Sequence, residues 1–139
     1  MIGRALGIDY GSRRVGLALS DPLRVIAGGA GVLRNSPALI TTLARFVDEH
    51  KVVVVVVGMP YAPDGGAGKK GDEVSRFIRQ LQHAIAVPVT TWDESYTTVE
   101  AGAALRRGGM KKAQRRRKGV LDEMAARVLL QEYLDAHSA

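Results

Sequence analysis

Val52-Val53-Val54-Val55-Val56-Val57-Gly58 is an unbroken run of β-branched residues closed by a glycine. β-Branched side chains suit strands. A run without polar alternation predicts a strand buried on both faces, the mark of a central strand in a sheet covered by helices. The flanking segments supply the rest of such a sheet. Upstream, Ser36-Pro37 reads as a helix start, with a capping hydroxyl followed by proline at the first helical position. Leu39, Ile40, Leu43, Phe46 and Val47 follow at helical spacing, which predicts a helix over 37–49. Farther upstream, Leu6–Asp9 and Val15–Leu19 read as strands. The turn Gly11-Ser12-Arg13-Arg14 joins them as a hairpin. Gly28–Leu33 is a third strand, weakened by its glycines.

Downstream, Gly58–Gly71 reads as a Pro/Gly-rich loop, and Asp72–Ala84 as an amphipathic helix with Val74, Phe77, Ile78 and Leu81 on one face. Val87–Trp92 is a further strand. Thr97 and Glu100 form a capping box that opens a helix stopped by Gly108-Gly109. A last helix runs through Leu121, Met124, Val128 and Leu129 to about Asp135. The order β-β-β-α-β-α-β-α-α predicts an α/β fold, a mixed five-stranded sheet with helices on both faces. The chain's 139 residues fit one domain, 1–139.

Composition narrows the function. Cysteine is absent, so disulfides and thiolate metal sites are excluded. His50, His83 and His137 are scattered and do not suggest a zinc site. No secretory leader is evident, and the longest apolar run is far too short to span a bilayer. These features predict a soluble, cytoplasmic protein with no membrane partner.

The net charge is +6. Eight basic residues and no acid fall between 106 and 118: Arg106, Arg107, Lys111, Lys112, Arg115, Arg116, Arg117 and Lys118. With those eight set aside from the +6, the remainder carries −2. One concentrated cationic segment on a slightly acidic body is what a polyphosphate partner requires. An ordinary solvated helix face is the plainer explanation, but eight unbalanced charges in so short a stretch argue against it.

Three acidic positions could carry chemistry. Asp9 ends the first strand, where it could also simply cap the hairpin turn. Asp93-Glu94 ends another strand, the place where ligands gather in open α/β sheets. Side chains alternate along a strand, so only one of that pair can face a given site. Asp122 lies near the start of the last helix, at the border of its apolar face. Each is ordinary alone. Together they offer the oxygen ligands that Mg²⁺ or Mn²⁺ needs, and two such ions can stabilise both the attacking and the leaving oxygen of a phosphodiester.

Other motifs fail. Gly66-Ala67-Gly68-Lys69-Lys70-Gly71 has the letters of a dinucleotide fingerprint but stands well beyond the preceding strand. It reads as a loop whose Lys69 and Lys70 could touch phosphates. Trp92 and Tyr96 could stack on bases, although rim packing is the commoner fate of such rings.

Leu6-Gly7-Ile8-Asp9-Tyr10-Gly11, Arg14-Val15-Gly16-Leu17-Ala18 and Ser20-Asp21 resemble the YqgF/RuvX family of Holliday-junction-resolvase-like proteins. So do Val57-Gly58-Met59-Pro60 with Asp64-Gly65, Asp93-Glu94-Ser95, Lys118, Asp122 and Ala125-Ala126. That family is also described as nucleases of precursor 16S ribosomal RNA. The resemblance implies a ribonuclease-H-like fold. It implies catalytic, metal-binding acids at Asp9, Glu94 and Asp122, with Asp93 as the alternative to Glu94. It also implies a nucleic-acid partner, structured RNA or branched DNA. Arg13, Arg14, Lys69, Lys70 and the basic run are the candidate phosphate contacts.

Two departures stand out. Ser95-Tyr96 occupies the place where the family usually has arginine, and Gly58-Met59 the place where resolvase relatives carry a glutamate. A non-catalytic nucleic-acid-binding factor is the competing reading, and an actin-type phosphotransferase a distant third. A homodimer is compatible with the sequence.

Overall fold

The computed structural model describes residues 2–60, 68–94 and 118–138. The strands are β1 (Arg4–Tyr10), β2 (Arg14–Ser20), β3 (Ala27–Arg34), β4 (Val52–Met59) and β5 (Val89–Asp93). The helices are α1 (Leu39–Glu49), α2 (Gly68–Ala84) and α3 (Lys118–Ala136). The strands form one mixed sheet in the order β3-β2-β1-β4-β5. The β1–β2 and β2–β3 pairs are antiparallel. The β1–β4 and β4–β5 pairs are parallel. The valine run therefore lies inside the sheet, as its lack of alternation predicts.

Each face of the sheet has its own helical cover. Leu6, Ile8, Val15, Leu17, Val55 and Val57 pack with Leu43 of α1 and with Val74, Phe77 and Leu81 of α2. Ala5, Ala18 and Val56 turn the other way and pack on Ala126, Leu129, Leu130 and Leu134 of α3. A fully buried aliphatic side chain contributes roughly 1.5–3 kcal/mol. A one-residue slip of any central strand would move its whole set to the wrong face.

The α3 face is floored by small residues, and the reason is steric. A Cβ on Gly7 would meet Leu130 Cβ at 2.8 Å and the carbonyl oxygen of Ala126 at 3.2 Å. One on Gly16 would overlap the carbonyl of Asp122. One on Gly29 would meet Glu123 Cδ at 2.8 Å. Glycines of three neighbouring strands thus form a trench into which α3 sinks. At Gly31, φ is +95°, and the β2–β3 register shifts between Gly16 and Ala18. This bulge turns the Gly31 amide toward Glu123 Oε2, 2.5 Å away.

Several boundaries differ from the sequence reading. β4 continues through Gly58 to Met59, because Gly58 and Met59 still pair with Trp92 and Asp93. α1 begins at Leu39. Ser36 and Pro37 form a preceding turn in which Ser36 Oγ accepts from the Ala38 amide at 3.2 Å. α2 begins at Gly68, so Lys69 and Lys70 are helical, not in a loop. Gly68 at φ +67° makes the entry turn, and buried Gly71 gives the first turn close packing. The helix expected after Thr97 and the basic residues from 106 to 117 lie outside the described residues. No helix among the described residues is long and apolar enough to cross a membrane.

Candidate active site

The parallel alignment of β1, β4 and β5 brings their carboxyl ends to one edge of the sheet. Asp9 ends β1 on the α3 face, the face of Ala5 and Gly7. Its cross-strand partner on β2 is Gly16, the residue over which Asp122 of α3 descends. The chain thus places an acid and a helix backbone on neighbouring strand positions, with a glycine making the room.

Glu94 follows β5, its amide donating to the Met59 carbonyl at 3.1 Å. Its carboxylate fills the space above Gly58, where a Cβ would collide with Glu94 Oε2 and touch Leu129 Cδ2 at 3.1 Å. Glycine at the end of the central strand is therefore the complement of a glutamate arriving from β5. Glu94 is 9% exposed, whereas Asp93 is exposed.

The electrostatics are those of crowded acids. Burial, a hydrogen bond shared with Glu94 and the charges of Glu94 and Asp122 push the Asp9 carboxyl up from 3.8 to about 8. Lys70 opposes this and lies close enough to lower it. Glu94 Oε2 is buried with no hydrogen-bond partner among the described residues. Asp122 is turned to Arg14, whose Nε donates to its Oδ2 at 2.9 Å. Among the described residues no three acids or histidines stand in ready-made metal-holding geometry. The donor set nonetheless fits a hard divalent cation. Among the described residues, the two buried carboxyl groups of Asp9 and Glu94 have only a shared proton between them, and a third acid is held by a replaceable guanidinium. A cation would take the place of that proton and offset the crowded charge.

The remaining candidates are placed as follows. Arg13 is exposed on the β1–β2 turn. Lys69 and Lys70 are exposed in the first turn of α2. Lys118 begins α3. Arg106, Arg107, Lys111, Lys112, Arg115, Arg116, Arg117 and Tyr96 lie outside the described residues. Trp92 packs edge-on against Tyr133 at 5.9 Å and donates to Glu132 Oε2 at 3.1 Å, so its ring serves the β5–α3 contact. The sequence reading missed Gly16 and Gly58, which shape the site without chemistry of their own. Glycine inside a strand pattern, a sign of close approach, was the available signal.

A mixed five-stranded sheet with helices on both faces, and acids gathered at one strand edge, defines the ribonuclease-H-like class to which junction resolvases belong. Solved structures share the fold. Thermus thermophilus RuvC in complex with a Holliday junction superposes with a TM-score of 0.56 at 19% identity, covering 96% of this chain and 94% of that one. Fowlpox virus resolvase, in complex with Holliday junction DNA, gives 0.58 at 13% identity over the whole of both chains. Residues 3–136 match the family described as "RuvX: Holliday junction resolvase", and the chain belongs to that family. A relative from Syntrophus aciditrophicus, named "Putative pre-16S rRNA nuclease", is 41% identical and covers 97% of this chain and 90% of its own length. A Synechococcus relative (strain JA-3-3Ab) of the same name is 42% identical, over 94% of this chain and 82% of its own length.

Proposed function

We propose that this protein is a divalent-metal-dependent endonuclease that hydrolyses phosphodiester bonds of structured nucleic acid at the Asp9–Glu94–Asp122 edge. The observation that carries this reading is the buried pair of carboxyl groups, Asp9 and Glu94, in which Asp9 is pushed to keep a proton and no other described group donates to Glu94 Oε2. Such a pair costs stability unless a cation completes it. Asp9 and Glu94 would hold Mg²⁺ or Mn²⁺, and Asp122 would join them on release from Arg14. The bound ion would supply a more acidic water and charge neutralisation at the phosphorus.

The chain's own groups do the rest. Lys70, near Asp9, offers positive charge where a phosphate would approach acids that otherwise repel it. Arg14, freed from Asp122, is a second phosphate contact on the opposite side of Asp9. The basic run supplies further attraction along the strand. Among substrates, the relatives named as pre-16S rRNA nucleases favour precursor 16S ribosomal RNA, and the resolvases solved with Holliday junctions favour junction DNA.

The test is a manganese-dependent cleavage assay that offers junction DNA, single-stranded RNA and ribosomal precursor RNA side by side. Asp9→Asn should abolish cleavage and leave binding largely intact; full activity in that variant would rule the mechanism out. A binding factor without catalysis is the second reading, favoured by the Arg14–Asp122 pair occupying one of the three acids. It requires salt-sensitive binding with no cleavage of any of the three.

A further inference from the structure

A second concavity lies on the opposite face of the sheet at the same edge. Its volume is about 290 Å³, and it is bounded by Tyr10, Ser12 and Asn35 on one side and by α2 on the other. Tyr10 follows Asp9 along β1, so the two side chains leave the strand on opposite faces. The Tyr10 ring stacks on Phe77 with centroids 4.4 Å apart at 23°. Phe77 is 2% exposed and Tyr10 only partly buried, so Tyr10 is the ring that a ligand would meet.

The polar groups around that ring are uncommitted. Among the described residues, Ser12, Glu73, Arg76 and Gln80 have no side-chain hydrogen bond or ion pair. Asn35 donates its amide to the Gly11 carbonyl at 2.8 Å, which leaves its side-chain oxygen to accept. An aromatic platform ringed by amides, a carboxylate and a guanidinium suits a nucleobase. Stacking supplies affinity that tolerates any base, and carboxylates and amides read exocyclic amino groups and ring nitrogens. A bare phosphate fits poorly because Glu73 shares the pocket. The volume is at the lower end for small-ligand sites, which leaves room for one nucleoside.

α2 links this pocket to the acids. Lys70, Glu73, Phe77 and Gln80 recur at intervals of three and four, one stripe of the helix. Lys70 acts on Asp9, while the later residues line the pocket.

We infer that this pocket captures one unpaired base of the strand being cut, close to the phosphate at Asp9. The inference rests on the nuclease reading above. A continuous duplex cannot fill the pocket, so loops, single-stranded flanks and branch points are selected.

The same chemistry would hold a free nucleoside monophosphate, so the test has two arms. In the first, metal-free protein is titrated with AMP, CMP, GMP and UMP and followed by NMR. Saturable shifts are expected at the Tyr10 and Phe77 rings, with affinity about tenfold weaker in a Glu73→Gln, Gln80→Ala variant. In the second, Asp9→Asn protein binds single-stranded RNA and DNA oligonucleotides in which one abasic position is moved along the strand. Affinity should fall about tenfold at one position only, and the pocket variant should erase that dependence.

A flat abasic scan overturns strand capture. If mononucleotides still bind, the pocket is a free-nucleotide site instead. Cleavage by the wild-type protein in manganese is scored separately, so a failed nuclease and a failed pocket are told apart. Tyr10→Leu, checked for native circular dichroism, repeats the scan without the ring and should give the same loss.

Discussion

The backbone carbonyl of Asp122 lies so close above Gly16 that a single methyl group there would overlap it. Since Gly16 is the cross-strand partner of Asp9, this contact fixes the depth at which α3 delivers Asp122 to the site. Gly16→Ala should push α3 outward and cost about 1–3 kcal/mol, the range for overpacked cores, read from urea unfolding. Cleavage should fall further than stability, because the displaced part of α3 carries Asp122, the third acid of the proposed site.

Asp9 makes the metal-free protein sensitive to alkali. Its folded pKa is raised to about 8 from 3.8, so between those values the folded state holds a proton that the unfolded state has released. Stability must then decline as pH rises from about 4 to 8, with the full penalty above the folded value. Asp9→Asn should flatten that decline and raise the melting temperature at neutral pH without divalent ions. Adding Mn²⁺ should stabilise the wild type more than the variant. A pH profile of the melting temperature that is unchanged by the substitution would count against a raised Asp9.

Glu94 and Asp93 should separate sharply. Glu94→Gln should lower kcat more than about a hundredfold, beyond what losing an outer support of a metal ligand costs. Asp93→Asn, altering an exposed carboxylate, should change it only slightly. Gly58→Ala should resemble Glu94→Gln, since its methyl would take the space of the Glu94 carboxylate. Single-turnover rates in manganese decide all three.

On the proposed reading, Arg14 would compete with a cation for Asp122. The pair is 35% and 26% exposed, so Arg14→Ala should change stability by less than about 1 kcal/mol. Calorimetric Mn²⁺ affinity should rise, because Asp122 is released, while cleavage falls through the loss of a phosphate contact. Unchanged Mn²⁺ affinity would place Asp122 outside the cation site.

Asp21 supports the β2–β3 turn. Its Oδ1 accepts from the amides of Val25 and Ile26, both at 2.8 Å, and its Oδ2 from that of Leu23 at 3.2 Å. These amides, Ile26 first, hold its carboxyl below the usual 3.8. The stabilisation is therefore present above the unfolded value and lost as pH falls through the folded one. Asp21→Asn should lower the melting temperature at neutral pH, with the difference disappearing in strong acid.

Much of this architecture could be read from residue types. β-Branched runs and apolar periodicity located the five strands and three described helices, because those signals reflect burial directly. What escaped depends on partners distant in sequence. Gly16 reads as an ordinary small residue of the second strand and Gly58 as the end of the valine strand, and only the arrival of Asp122 and Glu94 reveals them as clearances. Gly68-Lys69-Lys70-Gly71 reads as a loop because two glycines outweigh local helix propensity, yet packing of Gly71 draws it into α2. Which of Asp93 and Glu94 is buried turned on where β5 ends, a boundary that alternation alone does not fix. The pocket beside Tyr10 had no signature, since its residues come from three separate segments.

Asp9 lies on the first strand, whereas Asp122 lies on a helix that follows all five strands in the sequence. Until α3 docks, the strands can pair, but the trench between them has nothing to receive. A local opening of that one helix would therefore carry Asp122 away from Asp9 while the sheet stayed paired, so the gathering of acids is only as durable as the seat of α3 on its glycines.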